Sequence, residues 1–90
     1  MAASFSDLNR EMGEAREFLR SFTLGQRGFT QRDGIKAIDR VNSLCDQLQQ
    51  RFGAGKHAGT VAGMIVTARN QVQAAKARLS ILQKGLAALV

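Results

Sequence analysis

Apolar side chains recur at alternating steps of three and four residues along three stretches of this 90-residue chain. One helical turn takes 3.6 residues, so this spacing places them along one side of a helix, whereas a strand would alternate every second residue. The chain also contains no proline, which leaves long helices open. The predicted stripes are Phe5, Leu8, Met12, Ala15, Leu19 and Phe22; Ile38, Val41, Cys45, Leu48 and Phe52, with Ile35 from the first turn; and Ile65, Ala68, Val72, Ala75, Leu79, Leu82, Leu86 and Leu89.

Helix starts are marked twice by a hydroxyl residue followed three positions later by an aspartate. The pairs are Ser4 with Asp7 and Thr30 with Asp33. In each pair the hydroxyl can accept a hydrogen bond from an early backbone N–H, and the carboxylate lies at the positive end of the helix dipole. A third start is predicted at Thr60, where no acid follows at the third position.

Glycines mark the predicted ends of the first two helices. Gly25 and Gly53 each follow an apolar run and are expected to close a helix in the left-handed conformation. The predicted helices therefore span about residues 4–24, 30–52 and 60–90. The fold class is all-α, either a three-helix antiparallel bundle or an extended helical hairpin with a long C-terminal helix, in a single helical domain of residues 1–90.

The third predicted helix is longer than its partners. It would be about 46 Å long, against about 32 Å and 35 Å for the other two. The last turns, with Leu82, Leu86, Leu89 and Val90, would then have no helix of the same chain to pack against. Leaving such residues in water forfeits about 1.5–3 kcal/mol each, so we expect another chain to cover them.

A second face of this helix carries small residues. Thr67, Ala74, Ile81 and Ala88 recur every seven residues away from the leucine stripe. Small side chains allow another backbone to approach closely, although alanine is also the best helix former and fills exposed positions for that reason alone. The predicted oligomer interface consists of Leu79, Leu82, Leu86, Leu89, Val90, Ala74, Ile81 and Ala88.

The net charge of +6 lies entirely in the second half of the chain. Residues 1–46 contain seven acids and seven bases, whereas residues 47–90 contain six bases and no acid. This asymmetry favours contact with nucleic acid, an anionic membrane surface or an acidic protein, and the alternative is that these charges only keep the protein in solution. The predicted contacts with a polyanion or an acidic partner are Lys56, Arg69, Lys76, Arg78 and Lys84.

The sequence offers few parts for catalysis. One cysteine and one histidine cannot supply a zinc site, and the loop around Gly53 and Lys56 lacks the glycine and hydroxyl spacing of a phosphate-binding loop. Cys45 lies on an apolar stripe and is expected to be buried and unreactive, and His57 is expected to be an exposed loop residue. We therefore expect no catalytic residues, no metal, no cofactor and no small-molecule substrate.

The N-terminal residues resemble no secretory signal, and no apolar stretch approaches the ~20 residues of a membrane span. We expect a cytoplasmic protein or one incorporated in a virion or another large assembly. The predicted function is a non-enzymatic structural subunit that forms homo-oligomers or docks into a multi-copy complex of the virion or secretion-apparatus type through its C-terminal helix. The alternative is a small basic protein that binds nucleic acid or acts as a regulator or inhibitor.

Overall fold

A computed structural model describes residues 4–89, and within the last helix it describes side chains as far as Lys84. These residues form three helices, α1 (Phe5–Thr23), α2 (Gln31–Phe52) and α3 (Ala58–Leu89), and contain no strand. The all-α prediction is confirmed. Helix α3 begins at Ala58, slightly before the predicted start at Thr60.

The helices alternate in direction and each packs against the other two. At one end of the bundle the ring of Phe5, in the first turn of α1, lies edge-on to Phe52 in the last turn of α2. At the other end the guanidinium of Arg78 lies beside Gly25, which follows α1. Helix α3 is therefore antiparallel to α2 and runs past the α1–α2 loop, in a molecule 52 Å long and about 20 Å across.

Both predicted capping boxes are present. The backbone N–H of Asp7 donates to the Ser4 hydroxyl at 3.1 Å, and the N–H of Ser4 donates to the Asp7 carboxylate at 3.2 Å. The same pair of bonds joins Thr30 and Asp33, at 3.2 and 2.8 Å. Each box satisfies two of the backbone donors that a helix start leaves without a partner.

These hydrogen bonds make the stability of the bundle depend on pH. They hold the pKa of Asp7 and of Asp33 below the ordinary value of 3.8. A carboxyl with a lowered folded-state pKa stabilises the protein above its unfolded pKa and loses that contribution as the pH falls through its folded pKa. We therefore expect the free energy of unfolding to decrease below about pH 4.

The double variant Asp7→Asn/Asp33→Asn should lose part of this acid dependence. Urea unfolding followed by circular dichroism at a series of acidic pH values measures it directly. An unchanged pH profile in the variant would contradict the assignment of the effect to the two caps.

The left-handed conformation predicted for the two helix-ending glycines is present at one of them and absent at the other. Gly25 has φ of 74°, so its predicted left-handed conformation is confirmed. The same prediction for Gly53 is wrong, because Gly53 has φ of −71° and its N–H still donates to the Gln49 carbonyl at 3.0 Å. The chain continues in helical geometry for one more residue, and the left-handed turn falls at Gly55, with φ of 95°.

The apolar stripes form the core with one correction. The stripe of α1 is buried from Leu8 to Phe22, and in α2 Ile38, Val41, Cys45 and Leu48 are buried as predicted. The placement of Ile35 in this stripe is wrong, since its side chain is 45% exposed. Gly34 takes the place instead and lies beneath the ring of Phe22. Steps of three and four back from Ile38 both fit a helix, and hydrophobicity alone favours the isoleucine over the glycine.

Helix α3 contributes a narrower stripe to the core. Val61, Ala68, Val72 and Ala75 are buried, while Ile65, Leu79 and Leu82 are partly buried against them. Val61 was not predicted to be in the core because the predicted start of the third helix was Thr60, the residue immediately before it. The predicted stripe residues Leu86 and Leu89 lie outside the side chains that the structure describes.

Cys45 is buried, as predicted, and burial raises the pKa of its thiol. His57, by contrast, is not an exposed loop residue. Its ring stacks on that of Phe5 with centroids 3.9 Å apart and planes 7° apart, and it meets Phe52 edge-on at 5.8 Å. The prediction failed because the ring that stacks on His57 belongs to Phe5, at the start of α1, which is distant in sequence.

Candidate functional site

The outward side of α3 carries a long exposed surface without charge. It is formed by Ala62, Gly63, Val66, Thr67, Asn70, Gln73, Ala74, Ala77, Ser80 and Ile81, all exposed. We call these residues the neutral face. They lie opposite the core stripe of the same helix and extend about 30 Å along its axis at 1.5 Å per residue. Most are small or short, so another backbone can come close to α3 along this surface.

The other two helices present a different surface to solvent. Exposed residues of α1 include Arg10, Glu14 and Glu17, and those of α2 include Asp39 and Asp46. Charge at such positions is what a solvated helix normally carries. On α3 the neutral face instead includes Val66 and Ile81, each with 61% of its side chain exposed. The neutral face therefore differs from the exposed sides of α1 and α2 in having no charged residue.

The predicted interface residues fall on two different sides of α3. Ala74 and Ile81 lie on the neutral face, whereas Leu79 and Leu82 are partly buried against the core. The remaining predicted residues, Leu86, Ala88, Leu89 and Val90, lie outside the described side chains. Sequence analysis missed Ala62, Val66, Asn70, Gln73 and Ser80, although the absence of charge at these positions on the helix was a signal that could have identified them.

Apolar side chains are also exposed where α1 ends and α2 begins. Leu24 is 65% exposed and Ile35 is 45% exposed. The same end of the bundle holds Arg78, beside Gly25, and Ile81 follows Arg78 within one turn of α3. This end is also where α3 runs past the α1–α2 loop. Exposed apolar groups thus accumulate toward the part of α3 that extends beyond its partners.

The predicted basic contacts do not form one surface. Arg69 lies on the edge of α3 that faces α2, where its guanidinium is 3.9 Å from the Asp46 carboxylate. Lys76 is exposed one heptad further along the same edge. Lys84 is exposed one heptad after Ala77, in line with the neutral face and just beyond its end. Arg78 is on the edge that faces α1, and Lys56 is in the loop at the opposite end of the bundle. The ion pair of Arg69 is exposed and contributes little stability.

Arg78 belongs instead to a group of arginines between α1 and α3. Arg16 donates a hydrogen bond from its Nε to the side-chain carbonyl of Gln71. Arg20 lies one turn further along α1 and lines a shallow groove with Leu24 and other residues. Sequence analysis interpreted Arg16 and Arg20 as members of weak ion pairs on α1, so it did not associate them with Arg78.

The described residues contain no arrangement typical of a metal centre. Between residues 4 and 89 no three His, Cys, Asp or Glu side chains come together. None of the helices described in this region is both long enough and apolar enough to cross a bilayer. The features that the structure does offer are surfaces: the neutral face, the apolar end of the bundle and the arginines between α1 and α3.

Comparisons with known proteins identify no relative. No protein-family model matches the chain, and no curated protein or solved structure is significantly similar to it. The surfaces of the bundle are therefore the basis for a functional proposal.

Proposed function

We propose that this protein is a non-enzymatic helical subunit that associates through α3 with further copies of itself or with a larger multi-copy assembly, of the virion or secretion-apparatus type. The observation that carries the proposal is the neutral face. Its ten members are exposed and uncharged, on a helix whose own chain covers only the opposite side.

The composition of the neutral face favours close packing against another helix. Alanine and glycine lose no side-chain entropy on burial, so covering Gly63, Ala74 and Ala77 costs little. Val66 and Ile81 gain most when water is removed, because each is 61% exposed in the isolated chain. Asn70 and Gln73 can form hydrogen bonds across an interface.

The size of this surface favours an assembly with more than one contact. A stable interface buries about 800 Å² on each partner. One helical face about 30 Å long and about 10 Å wide supplies only part of that area. The proposal therefore includes the exposed apolar groups at the end of the bundle and the predicted contribution of the turns after Leu82.

A charge placed in the middle of the neutral face tests this proposal. Asn70 and Ala77 are one heptad apart on it, and in the variant Asn70→Lys/Ala77→Lys association would have to bury two new charges without partners. Because such burial is strongly unfavourable, we expect the multimer to dissociate. Lysine is a good helix former and both positions are exposed, so the bundle itself should keep its helical signal.

The matched control is Ser43→Lys/Gln50→Lys. These two residues are also one heptad apart and exposed, but on α2. We expect this variant to keep the mass of the wild-type multimer when light scattering is measured on a sizing column. Equal masses for both variants, or a wild-type protein that stays monomeric at high concentration, would contradict the proposed function.

The basic half of the chain supports one alternative, a nucleic-acid-binding or regulatory protein. Lys76 and Lys84 are exposed on the outward half of α3, and no acid occurs in residues 47–90. This alternative makes the opposite prediction for Asn70→Lys/Ala77→Lys, since two added cations should tighten binding to a DNA duplex and steepen its dependence on salt. Fluorescence anisotropy with a labelled duplex distinguishes the two functions.

A further inference from the structure

The groove between α1 and α3 combines fixed arginines with apolar side chains. Its lining includes Arg20, Thr23, Leu24, Gln71 and Ala74. Two further arginines flank it: Arg16, which is hydrogen-bonded to Gln71, and Arg78, which lies beside Gly25 next to Leu24. Its cationic residues are therefore Arg16, Arg20 and Arg78, and we consider them with Leu24, Gln71 and Ala74. We call these six residues the arginine groove. It lies beside the neutral face, with which it shares Ala74, but it differs from that face in being strongly basic.

The three arginines have no acidic partner in the part of the chain that the structure describes. Ion pairs there join Arg10 to Asp7, Arg40 to Glu14 and Arg69 to Asp46. Glu17 precedes Arg20 by one turn of α1, and no carboxylate oxygen of Glu17 lies within 4 Å of an arginine nitrogen. Among the described residues, none of the three guanidinium groups of the groove is therefore engaged in an ion pair.

Two of these guanidinium groups are held in place by the bundle. Arg16 is oriented by its hydrogen bond to Gln71. Arg78 is partly buried, and its Nη2 would lie 3.0 Å from a β-carbon on Gly25, so the glycine leaves the space that this side chain occupies. The Nε of Arg78 is buried and has no acceptor among the described residues. Arginines ordered in advance lose less entropy when they bind a carboxylate.

The apolar part of the groove indicates what kind of ligand fits. Leu24 is 65% exposed beside Arg20, with Ala74 on the facing helix. Guanidinium groups pair with carboxylates in a bidentate geometry, and an exposed leucine favours an apolar side chain. A phosphate backbone offers no apolar group, and no aromatic ring lines the groove on which a base could stack.

We propose that the arginine groove binds an acidic protein segment that carries an apolar side chain between its carboxylates. The carboxylates pair with Arg20 and Arg78, and the apolar side chain covers Leu24. This inference does not depend on the proposed function, because a single bundle contains the whole groove. Loss of self-association would therefore leave binding of the segment intact.

The probe for this proposal is a fluorescein-labelled peptide of glutamate, leucine and alanine, long enough to form a few helical turns. A second peptide has glutamine in place of every glutamate, and a labelled DNA duplex represents nucleic acid. Anisotropy titrations at low and moderate salt measure the Kd for each probe. We expect the acidic peptide to bind and the glutamine peptide not to bind.

Three variants locate the binding site. Arg20→Gln/Arg78→Gln should weaken binding of the acidic peptide by about tenfold or more. Arg16→Gln/Arg20→Gln should also weaken it and leaves Arg78 in place, so the result does not depend on the packing of Arg78. The control Arg32→Gln/Lys36→Gln removes the same charge from exposed positions of α2 and should change the Kd by less than about twofold.

Several outcomes would overturn the proposal. Equal weakening by the control and groove variants would mean that only net charge attracts the peptide. Tighter binding of the duplex than of the acidic peptide, weakened by Arg16→Gln/Arg20→Gln and not by the control, would assign the groove to nucleic acid instead. Absence of acidic-peptide binding at low salt would also contradict it.

Discussion

Replacing Leu19 with alanine should lower the free energy of unfolding by about 2–5 kcal/mol. The Leu19 side chain has no exposed surface and belongs to the core that the three helices share. The substitution loses the favourable free energy of transferring the leucine methyl groups out of water. It also leaves a cavity that the surrounding helices fill only partly. A small domain is stable by about 5–15 kcal/mol in total, so this one change removes a large share.

Leu24 provides the matched control for this prediction. It is the same residue type five positions later, but 65% of it is exposed. Leu24→Ala should therefore change the free energy of unfolding by less than about 0.5 kcal/mol, as is usual at surface positions. Urea unfolding followed by circular dichroism compares the two. Similar losses for both variants would contradict the assignment of Leu19 to the core.

Replacing Gly34 with alanine should destabilise the bundle by about 1–3 kcal/mol, the usual range for overpacking a core. A β-carbon at this position would lie 2.6 Å from both Cε atoms of the Phe22 ring. Real β-carbons do not approach other atoms so closely, so the ring or the helix must move. Helix propensity alone predicts the opposite sign, since alanine is favoured over glycine within a helix by about 1 kcal/mol.

Gly13→Ala separates these two effects. Gly13 is also inside a helix, and no other residue lies within 4 Å of a β-carbon placed there. We expect this variant to be more stable than the wild type by about 0.5–1 kcal/mol. Adding Phe22→Leu to Gly34→Ala should recover part of the steric cost, as a coupling between the two sites. A stabilised Gly34→Ala variant would show that the two helices do not approach as closely as described.

The parts of the fold that sequence predicted are those determined by neighbouring residues. The capping boxes at Ser4 and Thr30 involve atoms three positions apart, and the stripe of α1 follows directly from helical periodicity. Neither depends on which helix lies opposite. For the same reason the all-α class and the helix limits were accessible before any tertiary contact was known.

Two of the errors concern positions whose environment is set by a distant part of the chain. Gly34 replaces Ile35 in the core because the Phe22 ring of α1 occupies the space beside it. His57 is stacked because α1 begins, and α2 ends, beside the loop that carries it. Periodicity within one stretch contains no information about either contact.

The candidate surfaces were predictable only in part. Ala74 and Ile81 were identified from the heptad repeat, but the full width of the neutral face required knowing which side of α3 is buried. The arginine groove was not predicted, because its members come from two helices and Arg16 and Arg20 have acidic neighbours in sequence. The contribution of Leu86, Ala88, Leu89 and Val90 to association stays a prediction.

The most direct test of association through α3 is the mass of the untagged, nuclease-treated protein on a sizing column, measured by light scattering at low and at high salt. We expect a defined multimer at both salt concentrations with no absorbance from nucleic acid, because contacts through an uncharged face change little with ionic strength. A monomer at both salt concentrations would contradict the proposed function. A monomer whose low-salt peak carries nucleic acid would instead make the basic half the functional surface.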